Sequence, residues 1–285
     1  MADWTFQASG PLERLQEIAT RLEPPLEELG LANALTEDSE DRWTLTVYAP
    51  EDAREAVRSV LLQEAPELPF RKERLEAADW VALSLEGLTA VRAGGFVVHG
   101  SHERALARSA RDAIEIEAGE AFGTGHHGTT AGCLEMIEMV LRTGRPRTVL
   151  DLGTGSGVLA IALAKRLRRP VLATDIDPVS VRVARDNARL NRVSPLVGCE
   201  AATGLQSPSI RRARPFDLVV ANILAGPLIA LAPSITASLS PGGSLILSGL
   251  LDRQARSVRA TYLAHGMRKV AERSREGWTT LLLRR

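Results

Sequence analysis

The stretch "EAFGTGHHGTT", residues 120–130, gathers three glycines, two adjacent histidines and three threonines. Histidines hold metals, glycine turns cradle phosphates, and a glycine loop with hydroxyl donors closes over an organic ligand. His126 and His127 are neighbours, so on a strand or helix they point different ways, and no third ligand stands nearby at metal spacing; no metal site is expected. A second stretch, "VLDLGTGSGVLAIALA", ends a strand on Asp151 and places Gly153, Gly155 and Gly157 in the turn that follows. Missing Cβ atoms there let a ligand approach the main chain. About 20 residues further on, "VLATD" ends on Asp175, the spacing at which a carboxylate accepts hydrogen bonds from both hydroxyls of a ribose.

The choice among nucleoside ligands follows from what the turn lacks. A dinucleotide fingerprint, GxGxxG, needs glycine where this chain has Val158, and no GKS or GKT step is present, so both NAD and a P-loop nucleotide are disfavoured. What remains, DxGxGxG, resembles motif I of the class I S-adenosylmethionine-dependent methyltransferases, with Asp175 at the position that family uses on the ribose. Asp177, just before Pro178, is read as a helix N-cap. "FDLVVANILAG" ends a strand on Asn222. Class I enzymes that modify amino groups carry Asn or Asp there, then prolines and an aromatic that stacks on a nucleobase. Ile223 and Leu224 follow here, which weakens a flipped base as substrate and leaves an amine. Asn222 is the candidate catalytic residue: it would accept a hydrogen bond from the amine and aim its lone pair at the methyl carbon, a contribution of orientation. The alternative is that it caps the next helix.

The elements that must position these residues divide into two grammars. "WTFQA" and "RWTLTVYA" alternate as strands, and "PLERLQEIATRL" and "EDAREAVRSVLLQEA" carry apolar residues at helical spacing, which predicts a small α+β domain over residues 1–70. Residues 71–100, with "PELPFRKERLEAADW" on their border and Gly94–Gly95 inside, read as a linker. From 101 to 285, apolar runs ("TVLDLG", "PVLATDID", "PLVGCEA", "FDLVVANI", "SLILSGL", "TTLLLRR") alternate with helices such as "GVLAIALAKRL". That pattern predicts a doubly wound, mostly parallel α/β sheet. Glu276–Gly277 between two strand-like runs predicts an antiparallel hairpin at its edge. The "GTGHHGTT" loop precedes a helix expected over Ala131–Leu141 and should form the other wall of the cofactor pocket, with Thr129 and Thr130 presenting donors to a carboxylate.

Composition narrows the partners. With 35 basic and 35 acidic residues there is no global field to hold DNA or RNA, so no direct nucleic-acid substrate is expected. Cys133 and Cys199 are far apart and lack CxxC spacing, which suits a reducing cytoplasm. No signal pattern and no apolar run of about 18 residues appears, so a soluble, cytoplasmic protein without membrane partners is expected.

Taken in order, FGTGHHxTT, DLGTGSGVLAIA, DIDP and ANIL behind an N-terminal α+β module resemble the PrmA family of ribosomal protein methyltransferases, which modify large-subunit ribosomal protein eleven. The resemblance covers essentially the whole chain. It implies a class I methyltransferase fold, S-adenosyl-L-methionine as cofactor, and an N-terminal domain that recognises the substrate. It also implies methyl transfer to lysine side chains and/or the N-terminal α-amine of ribosomal protein eleven, free or in the ribosome. Thr130, Gly153, Asp175 and Asn222 match the family's cofactor contacts; Phe122, Gly123 and Thr124 of the loop and Asp151 and Gly155 of the turn complete the candidate set. Gly128 departs from the pattern, standing where a bulkier residue is usual, and is expected to loosen the loop. Two alternatives share the motifs: lysine methylation of another protein such as a flavoprotein subunit, and a non-catalytic ribosome-assembly factor that binds the cofactor.

Overall fold

The structure, a computed structural model, describes residues 4–29, 31, 33–39, 42–74, 90–104, 112–116 and 127–285. The chain divides into two compact units, Met1–Ser84 and Leu85–Arg285. In the first, β1 (Trp4–Gly10), β2 (Asn33–Ser39), β3 (Arg42–Ala49) and β4 (Arg71–Arg74) form an antiparallel sheet in the order β2-β3-β1-β4. Strand alternation turns Phe6, Ala8, Leu45 and Val47 to one face. There they pack with Leu15, Ile18, Leu22 and Leu26 of α1 (Leu12–Glu28) and Val57 and Leu61 of α2 (Arg54–Glu64). Helix α1 runs past the expected end, through Pro24 and Pro25, because Leu22 and Leu26 continue its buried stripe.

The expected linker differs from the structure at both ends. Residues Arg71–Arg74 pair with Gln7–Trp4 as an edge strand of the first sheet. Within the second unit, β5 (Val91–Ala93), β6 (Phe96–His99) and β7 (Ala113–Glu115) make a small sheet whose Phe96, Ile114 and Ile116 enter the main core. A charged edge strand and strands of three or four residues carry too little alternation to be read as strands.

The main sheet of the second unit has the order β10-β9-β8-β11-β12-β14-β13. Its strands are β8 (Val149–Leu152), β9 (Val171–Asp175), β10 (Val197–Ala201), β11 (Phe216–Asn222), β12 (Leu239–Leu251), β13 (Arg268–Arg275) and β14 (Trp278–Arg284). All are parallel except β14, which runs antiparallel to both β12 and β13, so the expected edge hairpin is present. Alternate residues feed two cores. Leu218, Val220 and Ile246 face α3 (His127–Thr143), α4 (Val158–Leu167) and α5 (Pro178–Leu190). Val219, Leu245 and Leu247 face α6 (Pro208–Ala213), α7 (Ala225–Ser238) and α8 (Asp252–Ala264). Strand order reverses at β8, with β9 on one side and β11 on the other, and in such sheets the crevice beyond the carboxyl ends at that point binds ligands. Among the described residues no helix is long and apolar enough to cross a membrane.

One clamp fixes the small sheet to the helices. Arg166 on α4 donates to Asp112 Oδ2 and Glu138 Oε2, each at 2.7 Å, and to the Gly94 carbonyl at 3.2 Å, and its guanidinium lies 4.4 Å from the Phe96 ring centre. Asn191 grips the main chain of Glu115 from both sides, accepting from its N–H at 3.0 Å and donating to its carbonyl at 2.6 Å. Because these ion pairs are mostly shielded from water, Arg166→Met should leave Asp112 without its ion-pair partner and Glu138 with only the exposed Arg142, and lower stability by about 2–4 kcal/mol, measured by urea unfolding.

Candidate active site

Strand β8 delivers Asp151, only 1% exposed, to the edge of the glycine turn. Its Oδ2 accepts the Thr154 hydroxyl at 2.6 Å and the Ala160 N–H at 3.0 Å, which ties the turn to the start of α4, while its Oδ1 is buried with no partner among the described residues. Burial is the main cause that pushes the Asp151 carboxyl up to about 6, with the Asp175 charge adding to it and the two hydrogen bonds opposing it. A carboxyl raised in this way favours the fold fully below its ordinary 3.8 and loses that contribution as pH rises through about 6. Asp151→Asn should therefore gain about 2–3 kcal/mol on the parent between pH 4 and pH 7, read from paired urea melts.

Two of the turn glycines are forced by close approach. A Cβ on Gly153 (φ +74°) would lie 2.2 Å from Cγ2 of Ile223, and one on Gly157 (φ +84°) 3.0 Å from Cβ of Ala184 on α5. The first lets the turn meet the chain that leaves β11; the second lets α4 pack on α5. Gly153 and Thr154 donate to the Thr174 carbonyl at 2.8 and 2.9 Å.

Asp175 is held over this turn by the main chain. Its Oδ2 accepts the Gly155 N–H at 2.8 Å and its Oδ1 the Asp177 N–H at 3.1 Å. A carboxylate has about four lone-pair positions, so two remain for a vicinal diol. Asp177 caps α5 as expected, accepting from Val179 N–H at 2.9 Å and Ser180 N–H at 3.0 Å, bonds that hold its carboxyl below the usual range. Ile176, between them, is 72% exposed, an apolar face next to the oriented carboxylate.

Asn222 ends β11, and its side-chain Nδ2 donates to Thr129 Oγ1 at 3.4 Å. The helix-cap alternative fails: α7 has Leu224 at its N-cap and no side-chain cap. The amide oxygen of Asn222 has no partner among the described residues. Helix α3 begins at His127, earlier than the expected Ala131, so Thr129 and Thr130 lie in its first turn and both are buried. Ser248 on β12 hydrogen-bonds Thr280 of β14 at 2.8 Å and the Thr129 carbonyl at 3.4 Å, fixing α3 against the sheet. Gly128 does not leave slack: a Cβ there would lie 2.9 Å from the Arg275 carbonyl oxygen, because the hairpin tip fills that space. Phe122, Gly123, Thr124 and His126 lie outside the described residues, as does the His127 side chain.

The structure thus brings Asp151, Gly153, Gly155, Asp175 and Asn222 to one edge of the sheet, with Thr129 rather than Thr130 touching Asn222. Thr129's contact, Ser248, Thr280 and the exposed Ile176 carry no local sequence pattern that marks them. Only the hydroxyl of Thr129 beside Thr130 gave a signal. Burial also removes one nucleophile from consideration, since it pushes the Cys133 thiol up to about 12.

Doubly wound sheet, glycine turn and diol-spaced carboxylate define a class I methyltransferase. The family model described as "Ribosomal protein L11 methyltransferase (PrmA)" matches residues 20–285, and the chain belongs to this family. It is 53% identical to the "Ribosomal protein L11 methyltransferase" of Chelativorans sp. (strain BNC1) over 285 residues, covering 98% of each chain. It is 52% identical to that of Rhizobium rhizogenes over 263 residues, 91% of this chain and 90% of the relative. The crystal structure of a ribosomal protein L11 methylase from Lactobacillus delbrueckii subsp. bulgaricus is similar at 28% identity and a TM-score of 0.62, covering 69% of this chain and 98% of that one. Family membership makes the chain an S-adenosylmethionine-dependent protein methyltransferase.

Proposed function

We propose that this chain transfers methyl groups from S-adenosyl-L-methionine to amino groups of ribosomal protein L11, on lysine side chains and/or the N-terminal α-amine, in the cytoplasm. The observation that carries the reading is the pairing of Asp175, oriented by two main-chain N–H groups, with Asn222, whose amide oxygen has no partner among the described residues, at the switch point of one sheet. The description of the family and the names of its members support L11 as the substrate.

S-adenosylmethionine supplies a methyl group on a sulfonium that departs as a neutral thioether. The residues present fit it. Asp175 offers two lone pairs to the ribose, Gly153 and Gly155 open the main chain, and Ile176 gives the adenine an apolar face. Asp151, buried beneath the turn, would hold the turn in shape for the cofactor through Thr154 and the Ala160 N–H. Thr130, buried in the first turn of α3, would serve the methionine end.

Asn222 accepts an N–H from the incoming amine and aims the nitrogen lone pair along the line of transfer, an effect of orientation. That amine must first lose a proton. An α-amine near pKa 8 and a lysine near 10.4 are mostly protonated at neutral pH, so burial must lower the value and water carry the proton off. Turnover should accordingly rise with pH between about 6 and 10; a flat profile in stopped assays would contradict this step. The first unit serves as the substrate-recognition domain. Mass spectrometry of ribosomal proteins from cells with and without the gene tests the whole reading. Loss of methyl groups from L11 supports it, whereas loss confined to another protein, or no loss at all, contradicts it.

A further inference from the structure

The hairpin joining β13 to β14 turns at the carboxyl edge of the sheet, since Trp278 at its tip pairs with Leu251 at the end of β12. That tip presses on the first turn of α3. A Cβ at Gly128 would lie 2.9 Å from the Arg275 carbonyl oxygen and 3.5 Å from Oε2 of Glu276, and the next residue, Thr129, receives the Asn222 amide at 3.4 Å. Glu276 and Asn222 therefore both border the first turn of α3, at the successive residues Gly128 and Thr129.

Glu276 is exposed and has no hydrogen bond or ion pair with any described residue. The carboxylates beside the hairpin are engaged: Asp252 by Ser274 and Thr279, and Glu135 by Arg275. Glu276 also holds a left-handed backbone (φ 53°) ahead of Gly277 (φ 80°), a turn in which Asn, Asp or Gly at the first central position would be less strained. The fold keeps a glutamate where its backbone is unfavourable, with its charge unpaired among the described residues.

We infer that Glu276 receives the protonated substrate amine at the mouth of the site, before the amine reaches Asn222; this rests on the function proposed above. The chemistry separates the two positions. A carboxylate attracts a cationic lysine or α-ammonium, but contact with it favours the charged amine and would oppose deprotonation at the point of transfer. Neutral Asn222 stands where the lone pair must be free, and Glu276 borders Gly128, one residue before Thr129, where the cation arrives. Its effect is on capture of substrate, as expected for a charge at the rim of an interface.

The test uses the full chain, saturating S-adenosylmethionine and purified ribosomal protein L11. Glu276→Gln should raise KM for L11 about fivefold with kcat changed less than about twofold, and Glu276→Lys should raise it further. Added salt should raise the parent's KM more than that of Glu276→Gln. Glu276→Asp should recover most of the loss. Cofactor Kd and Tm should stay at the parent's values. An unchanged KM in Glu276→Gln would overturn the inference. So would a KM change matched by loss of Tm or cofactor affinity, because the carboxylate would then only be stabilising the N-terminus of α3. If the parent itself transfers no methyl to L11 while binding cofactor, the proposed function fails and the inference falls with it, a result distinct from an active parent with an indifferent variant.

Discussion

Asp175→Ala is expected to weaken S-adenosylmethionine binding by about 30- to 1,000-fold, the equivalent of about 2–4 kcal/mol for two hydrogen bonds to a charged group. The carboxylate is fixed before any ligand arrives, by the N–H groups of Gly155 and Asp177, so a ribose diol meets an acceptor already in place. The variant should lose little stability, since those N–H groups lie near the surface and water can replace the acceptor. Asp175→Asn, which keeps one oxygen, should fall between the two. Isothermal titration of parent and variants reads the effect. A Kd within about threefold of the parent would remove Asp175 from the cofactor site.

Asn222→Ala should show the converse split: cofactor affinity within about threefold of the parent and turnover down about 100-fold, the size expected when a reacting group is no longer held in line. The one hydrogen bond its side chain makes among the described residues, a 3.4 Å donation to Thr129, is too long to contribute much stability, so Tm should move little. The free amide oxygen is what the substitution removes. Single-turnover methyl transfer at saturating cofactor separates this from a binding defect. Unchanged turnover would leave Asn222 without a role in transfer.

Legibility in the sequence followed how locally each feature is encoded. Strands β8, β9, β11 and the later half of β12 are largely buried on both faces and read as apolar runs, and the turn glycines, Asp175 and Asp177 follow from spacing along consecutive strand–turn–helix units. Strand β2, "NALTEDS", is an edge strand with little apolar character, and β4, "RKER", has none; both exist through pairing with β3 and β1, which no local window contains. The site shows the same division. Thr129 meets Asn222, Ser248 meets Thr280, and Gly128 meets the hairpin tip only because the order β11-β12-β14 sets their ends beside the start of α3. Gly128 shows the limit most sharply: read alone it suggested a loosened segment, while in three dimensions the Arg275 carbonyl occupies the place of its side chain.

Reconstitution tests the central claim most directly. The purified chain is incubated with S-adenosylmethionine and unmethylated ribosomal protein L11, and the intact mass of L11 is followed with time, alongside Asp175→Ala and Asn222→Ala. Stepwise gains of single methyl groups by L11 with the parent, and their loss in both variants, are the predicted result. An L11 mass that stays constant while the parent binds the cofactor, or methylation that proceeds equally in both variants, would contradict it.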